Sequence, residues 1–117
     1  MSWDHLAMTA EEGFERVVEA LAGEPGVTPP GAWGGRGFGA EALKVHGSIF
    51  AMLAYGQLVV KLPAARVRAL LGDGTGQPFH AGKRAPMRQW VAVGVDRLGQ
   101  WEELAAEALR FVGDSAP

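Results

Sequence analysis

Two glycine-containing turns divide one apolar stretch, residues 43–63, and this pattern constrains the fold more than any other feature of the sequence. His46-Gly47 and Tyr55-Gly56 separate runs rich in Val, Leu, Ile and Phe. Glycine adopts positive φ without a steric penalty, so a two-residue turn that ends on glycine favours a tight β-hairpin. The stretch therefore predicts an antiparallel meander with strands over 41–45, 48–54 and 57–62.

The two turns also predict which residues lie opposite one another. They pair Leu43 with Phe50 and Leu53 with Leu58. Side chains alternate between the two faces of a strand. One predicted face carries Ile49, Ala51, Leu53, Leu58, Val60 and Leu62, and the other carries Leu43, Val45, Phe50, Met52, Val59 and Lys61. Both faces are largely apolar, so we expect both to be at least partly covered.

A capping box and an apolar stripe predict the first helix, over 10–22. The Thr9 hydroxyl can accept from the backbone N–H of Glu12, whose carboxylate can accept from the N–H of Thr9. An apolar stripe at helical spacing follows, made of Phe14, Val17, Val18 and Leu21. The residues 23–39 are rich in Gly and Pro and are expected to form a loop.

The residues after the meander predict a second helix, a late strand and a closing helix. Pro63 suits the first turn of the second helix because its fixed φ is already helical. The alternation within residues 87–94 predicts the strand. Asp96 is expected to cap the last helix, over 97–112.

This order of elements predicts an α+β fold. An antiparallel sheet, built of the meander and a later strand or hairpin, is flanked by an N-terminal, a middle and a C-terminal helix. The chain of 117 residues is expected to form a single domain over 1–117. It contains no cysteine, which excludes disulfides and thiolate metal ligands. It lacks a long apolar run and a basic, apolar leader, which predicts a cytoplasmic protein that does not enter a membrane.

Charge is distributed unevenly along the chain. The overall net charge is −2, but residues 1–32 carry −5, residues 33–92 carry +6 and residues 93–117 carry −3. One interpretation is that acidic terminal helices lie over a basic centre. The other is that the sheet region presents an anion-binding face.

One set of residues is a coherent candidate for binding. Basic side chains beside an aromatic ring can hold a phosphate group and stack a base. The candidate nucleic-acid or anion-binding residues are Lys44, Lys61, Lys83, Arg84, Arg88 and Trp90. Trp33 and Arg36, in the first glycine-rich loop, are candidates for ligand or loop contact. The alternative is that the tryptophans belong to the core and the cations to an ordinary surface.

The remaining sequence patterns indicate no phosphate-binding loop, metal site or catalytic site. The glycine-rich residues 34–39 precede a strand and not a helix, so they are interpreted as a connector and not as a phosphate loop. His5, His46 and His80 lack metal-ligand spacing. No nucleophile, base and orienting acid stand together, so we expect no catalytic residues, no metal and no cofactor.

Five short motifs carry a resemblance to a known family. They are GSIFAML, GQLVVKLP, ARVRALL, PMRQWVAV and W-E-E-L-A-x-E-A-L-x-F-V, spread over residues 10–113. In these the chain resembles the TfoX N-terminal-like family, near the MmcQ/YjbR-like proteins. The resemblance implies a small α+β domain, and some relatives are linked to competence regulation or carry a DNA-binding label. It marks Lys61, Met87, Arg88 and Trp90 as motif positions.

Three functions remain open from the sequence. The first is a non-enzymatic regulatory or interaction module that binds a protein partner or forms a homodimer. The second is a nucleic-acid-binding domain that uses the basic centre, although a sequence pI of about 5.9 counts against it. The third is a small-molecule binder with a pocket between the sheet and the Trp33 loop.

Overall fold

The computed structural model of the protein describes residues 8–30, 42–80 and 86–115. Their fold is α+β, as predicted: a six-stranded antiparallel sheet with α-helices. The helices are α1 (Ala10–Leu21), α2 (Ala64–Gly72) and α3 (Trp101–Ser115). The strands are β1 (Val27–Thr28), β2 (Ala42–Val45), β3 (Ser48–Ala54), β4 (Gln57–Lys61), β5 (Gln77–Pro78) and β6 (Trp90–Val93). A 3-10 helix, Val95–Gln100, leads into α3.

The first helix begins with the predicted capping box. The backbone N–H of Glu12 donates to the Thr9 hydroxyl at 3.1 Å, and the N–H of Thr9 donates to a Glu12 carboxylate oxygen at 2.9 Å. Phe14, Val17 and Leu21 are buried on one side of the helix. The exposed acidic residues of α1 face away from this side, so the helix covers the sheet with its apolar stripe.

Both predicted turns form, and they build the centre of the sheet. His46 and Tyr55 have φ of 51° and 54°, and the glycine after each also has positive φ. Two consecutive positive-φ residues make the type I′ turn that matches the twist of a hairpin. The strand order is β1-β2-β3-β4-β6-β5, so the meander β2-β3-β4 lies in the middle. The predicted pair of Leu53 with Leu58 is confirmed.

The predicted pair of Leu43 with Phe50 is wrong, because a β-bulge interrupts the first hairpin. Lys44 pairs with Ile49, but Leu43 pairs with Ala51, so Phe50 is the extra residue on β3. A bulge of this kind shifts the register and reverses the facing of the residues beyond it. Leu43, Val45 and Phe50 therefore join the face that carries Leu58 and Val60, and Ile49 lies on the opposite one.

Two further predictions of local structure are wrong. The loop expected over 23–39 contains a short edge strand, since Val27 pairs with Val45 and the N–H of His46 donates to Gly26 O. Asp96 does not cap an α-helix starting at residue 97. The 3-10 segment intervenes, with a kink at Arg97, whose φ and ψ are not helical, and α3 begins only at Trp101.

The core lies on both faces of the sheet. On the helix face, α1 and α3 cover β3 and β4, and the indole N–H of Trp101 donates to Gly94 O at 3.0 Å within that core. On the second face, a smaller cluster contains Met52, Val59 and Phe79. The expectation that both faces are covered is therefore confirmed. The candidate site lies at the margin of this second face, beside β6, where Met87 and Trp90 pack against the smaller cluster.

Candidate functional site

The site is centred on a cross-strand pair at the ends of β4 and β6. Lys61 lies directly opposite Trp90 in the antiparallel register. The Lys61 ammonium is 6.0 Å from the centre of the Trp90 ring. That distance is the outer limit of a cation–π contact. Both side chains are half-buried, so they present a positive charge and an aromatic surface together.

The chain just before β6 is held in place by backbone hydrogen bonds. The N–H of Met87 donates to Phe79 O at 2.8 Å, and the N–H of Leu62 donates to Gln89 O at 2.9 Å. The first bond ties residue 87 to the end of β5, and the second ties residue 89 to the end of β4. Met87 and Arg88 therefore stand at a fixed position next to the Lys61–Trp90 pair, although they do not belong to a strand.

The second helix closes the other side of the site. Val67, on the inner side of α2, is buried in the core on the helix face of the sheet. Leu71, on the same helix, packs partly against that core. Arg68 and Ala64 lie one turn apart on the helix surface that faces β5 and β6. Arg66 faces elsewhere, because its Nε donates to a Glu107 carboxylate oxygen on α3 at 2.9 Å. This ion pair links α2 to α3.

Together these elements border two adjoining open depressions, which we call the apolar lobe and the polar lobe of the cleft. The apolar lobe, of about 400 Å³, is lined by Ala64, Val67, Arg68, Leu71, Pro78, Pro86, Met87, Arg88 and Trp90. The polar lobe, of about 570 Å³, is lined by Lys61, Ala64, Met87, Arg88, Gln89 and Trp90. Both volumes fall in the range of about 300–1,000 Å³ that is usual for ligand sites.

The charged side chains of the cleft are all positive. Lys61, Arg68 and Arg88 line it, and none of the described residues that line it carries a carboxylate. Ala64, in the first turn of α2, lines both lobes, so the positive end of the helix dipole adds to this sign. The cleft therefore offers an anion a positive field beside an apolar wall.

The predicted site residues divide into three groups. The structure brings Lys61, Arg88 and Trp90 together in the cleft. Lys44 lies on the same sheet face by strand alternation, but β3 separates its strand from β4, an offset of about 10 Å between backbones. The remaining candidates, Trp33, Arg36, Lys83 and Arg84, lie outside the described residues, and so does the proposed pocket beside Trp33.

Sequence reasoning missed the part that α2 plays in the site. Arg68 and Leu71 fall in the predicted second helix, and Pro78 falls between that helix and the predicted late strand, so local patterns give them no part in a binding site. Their contribution depends on how α2 and β5 sit beside β6, which no local pattern reveals. The sequence offers one signal, Arg68, a cation of the second helix that lies outside the apolar stripe of Val67, Leu70 and Leu71.

The described residues that line the cleft include no His, Asp or Glu side chain. Asp73 is the described group with a shifted pKa. Hydrogen bonds from Thr75 hold the pKa of its carboxylate below the ordinary value. Asp73 follows α2 and does not line the cleft. Among the described residues, no three His, Asp or Glu side chains cluster as metal ligands would.

Comparison with family models, with curated proteins and with solved structures finds no match to this chain. The resemblance to the TfoX N-terminal-like family stays a prediction. In the parts of the chain that the structure describes, no helix combines the length and the apolar character needed to cross a membrane.

Proposed function

We propose that this protein is a non-enzymatic interaction module that recognises its partner through the cleft between α2 and β6. The observation that carries the proposal is the convergence of Lys61, Arg68 and Arg88, from three different segments, around an apolar lobe. The lining side chains provide charge and apolar surface. Those are the properties that bind a ligand and hold it in one orientation.

The residue types at the cleft are also those that dominate protein–protein interfaces. Trp, Met and Arg are enriched at such interfaces, and Trp and Arg are frequent among the residues that contribute most to affinity. Trp90, Met87 and Arg88 belong to both lobes. A regulatory role of the kind implied by the family resemblance would act through contacts at this surface.

The proposal is tested by titrating the protein with anilinonaphthalene sulfonate, a dye that joins an aromatic group to an anion. Dye fluorescence should rise on binding to the native protein, and Arg88→Gln should weaken binding by about tenfold, the equivalent of one charge-assisted hydrogen bond. Arg110→Gln is the matched control, since Arg110 is exposed on α3 and does not line the cleft. Equal binding to both variants, or no binding to the native protein, would refute the proposal.

Nucleic-acid binding is a second candidate function, and the Lys61–Trp90 pair is the observation that favours it. A cation beside a tryptophan ring suits a phosphate next to a stacked base. Binding to a labelled single-stranded oligonucleotide should then fall steeply as salt is added, because each phosphate contact releases counterions. Undetectable binding at low salt would exclude this candidate.

A further inference from the structure

We propose that the partner segment recognised by the cleft is acidic and carries a large aliphatic or aromatic side chain next to its carboxylates. This inference rests on the proposed function and specifies the class of partner. It follows from the arrangement of the two lobes, from their chemistry and from the charge of the surrounding surface.

The two lobes require apolar and anionic groups to be neighbours in the ligand. Four residues, Ala64, Met87, Arg88 and Trp90, line both lobes, so the two lobes are immediate neighbours. A group bound in the apolar lobe is therefore close to Arg88 and to the polar lobe. A peptide in which Leu, Ile or Phe adjoins Glu or Asp meets this requirement within a few residues.

The walls of the apolar lobe suit a side chain better than a nucleobase. Val67, Leu71 and Pro78 are aliphatic, and Met87 adds a flexible thioether that adapts to different shapes. Among the described residues that line the cleft, Trp90 is the one aromatic residue, and it is half-buried. Sequence-tolerant nucleic-acid sites instead stack successive bases on exposed aromatic rings along a positive track.

The rest of the described surface favours a short acidic segment over a long polyanion. Four exposed glutamates lie along α1 and two in the first turn of α3. These carboxylates outnumber the exposed arginines of the same two helices, Arg16 and Arg110, so they disfavour a polyanion that extends over either helix. An acidic peptide is attracted at the cleft and disfavoured along the acidic faces of α1 and α3, and this contrast favours the cleft as the docking position.

The test measures displacement of bound anilinonaphthalene sulfonate by synthetic probes, using the full-length protein. The principal probe is a short peptide of mostly Glu with a central Leu–Leu pair. One control peptide replaces the leucines by Ser, and another replaces the glutamates by Gln. A single-stranded oligonucleotide and a medium-chain fatty acid represent the other anionic ligand classes.

The inference predicts that the principal peptide displaces the dye and that each control peptide is at least about tenfold weaker. Arg88→Gln and Arg68→Gln should each weaken the principal peptide about tenfold, and Arg110→Gln should leave it unchanged. Leu71→Ala should weaken the principal peptide but not the Ser-containing control. Circular dichroism and thermal melting confirm that each variant is folded before its binding is compared.

Failure of the inference can be told apart from failure of the proposed function. If the dye binds in an Arg88-dependent manner but only the oligonucleotide or the fatty acid displaces it, the inference is wrong and the cleft is still a binding site. If the principal peptide and the Ser-containing control bind equally, the apolar lobe takes no part and the inference is again wrong. If the dye does not bind, both proposals are wrong.

Discussion

At the scale of single residues, Gly56 shows how a backbone conformation favours glycine over other residue types. It has φ of +72°, and a Cβ placed there would meet no atom within 4 Å. Any cost of a side chain at this position is therefore conformational and not steric. Tyr55, which precedes it, also has positive φ and is almost fully exposed, so it accepts this conformation without compensating packing.

Gly56→Ala should lower the free energy of unfolding by about 1 kcal/mol, because an alanine in the left-handed region costs roughly 1–2 kcal/mol and recovers part of that through a less flexible unfolded chain. Gly72→Ala is the control. It has the same open space and ordinary φ within α2, so it should stabilise the protein slightly. Urea denaturation compares the two, and equal effects would contradict the turn geometry.

Asp73 should make stability depend on pH. Its carboxylate accepts from the backbone N–H of Thr75 at 2.9 Å, and hydrogen bonds from Thr75 lower its pKa below the ordinary 3.8. A group with a lowered folded pKa contributes stability above the ordinary value and loses it as the pH falls through the folded pKa. Native protein should therefore be more stable than Asp73→Asn at neutral pH, and the two should converge in strong acid. A constant difference across urea titrations at several pH values would show that the charge is not responsible.

At the scale of secondary-structure elements, features encoded by a few neighbouring residues were predicted correctly. Features that depend on pairing between distant strands were not predicted. The glycine turns and the capping box are encoded within a few residues, and both form as predicted. The bulge at Phe50 was missed because it depends on how β2 meets β3 across the sheet, and the alternating pattern of β3 contains no glycine or proline to mark it. The strand at Val27 was missed for the same reason, since two residues have no periodicity.

The capping box of α1 gives a prediction at this scale. Thr9→Ala removes the acceptor for the N–H of Glu12 and should reduce the free energy of unfolding by about 1 kcal/mol. Thr9→Ser keeps the hydroxyl and should retain most of that stability. Thermal or urea unfolding of the three proteins measures the difference. If the serine variant were as unstable as the alanine variant, the hydroxyl would not be the stabilising group.

At the scale of the whole molecule, the uneven charge along the chain has a partial structural explanation. Among the described cations of residues 33–92, Lys61, Arg68 and Arg88 meet at the cleft, Arg66 pairs with Glu107, and Lys44 lies apart on the same face. The sequence indicated Lys61, Arg88 and Trp90 because basic side chains near a tryptophan can hold a phosphate and stack a base. It could not indicate that α2 would complete the site, because that depends on tertiary packing.

The location of the binding site at the cleft is tested most directly by amide and indole NMR spectra of the native protein, recorded during titration with anilinonaphthalene sulfonate. Binding at the cleft predicts that the largest shifts occur at Lys61, Ala64 and the residues from Met87 to Trp90, including the Trp90 indole N–H. The signals of α1 should stay nearly unchanged. Largest shifts on α1 or α3, or shifts spread evenly over the protein, would contradict the assignment of this cleft as the binding site.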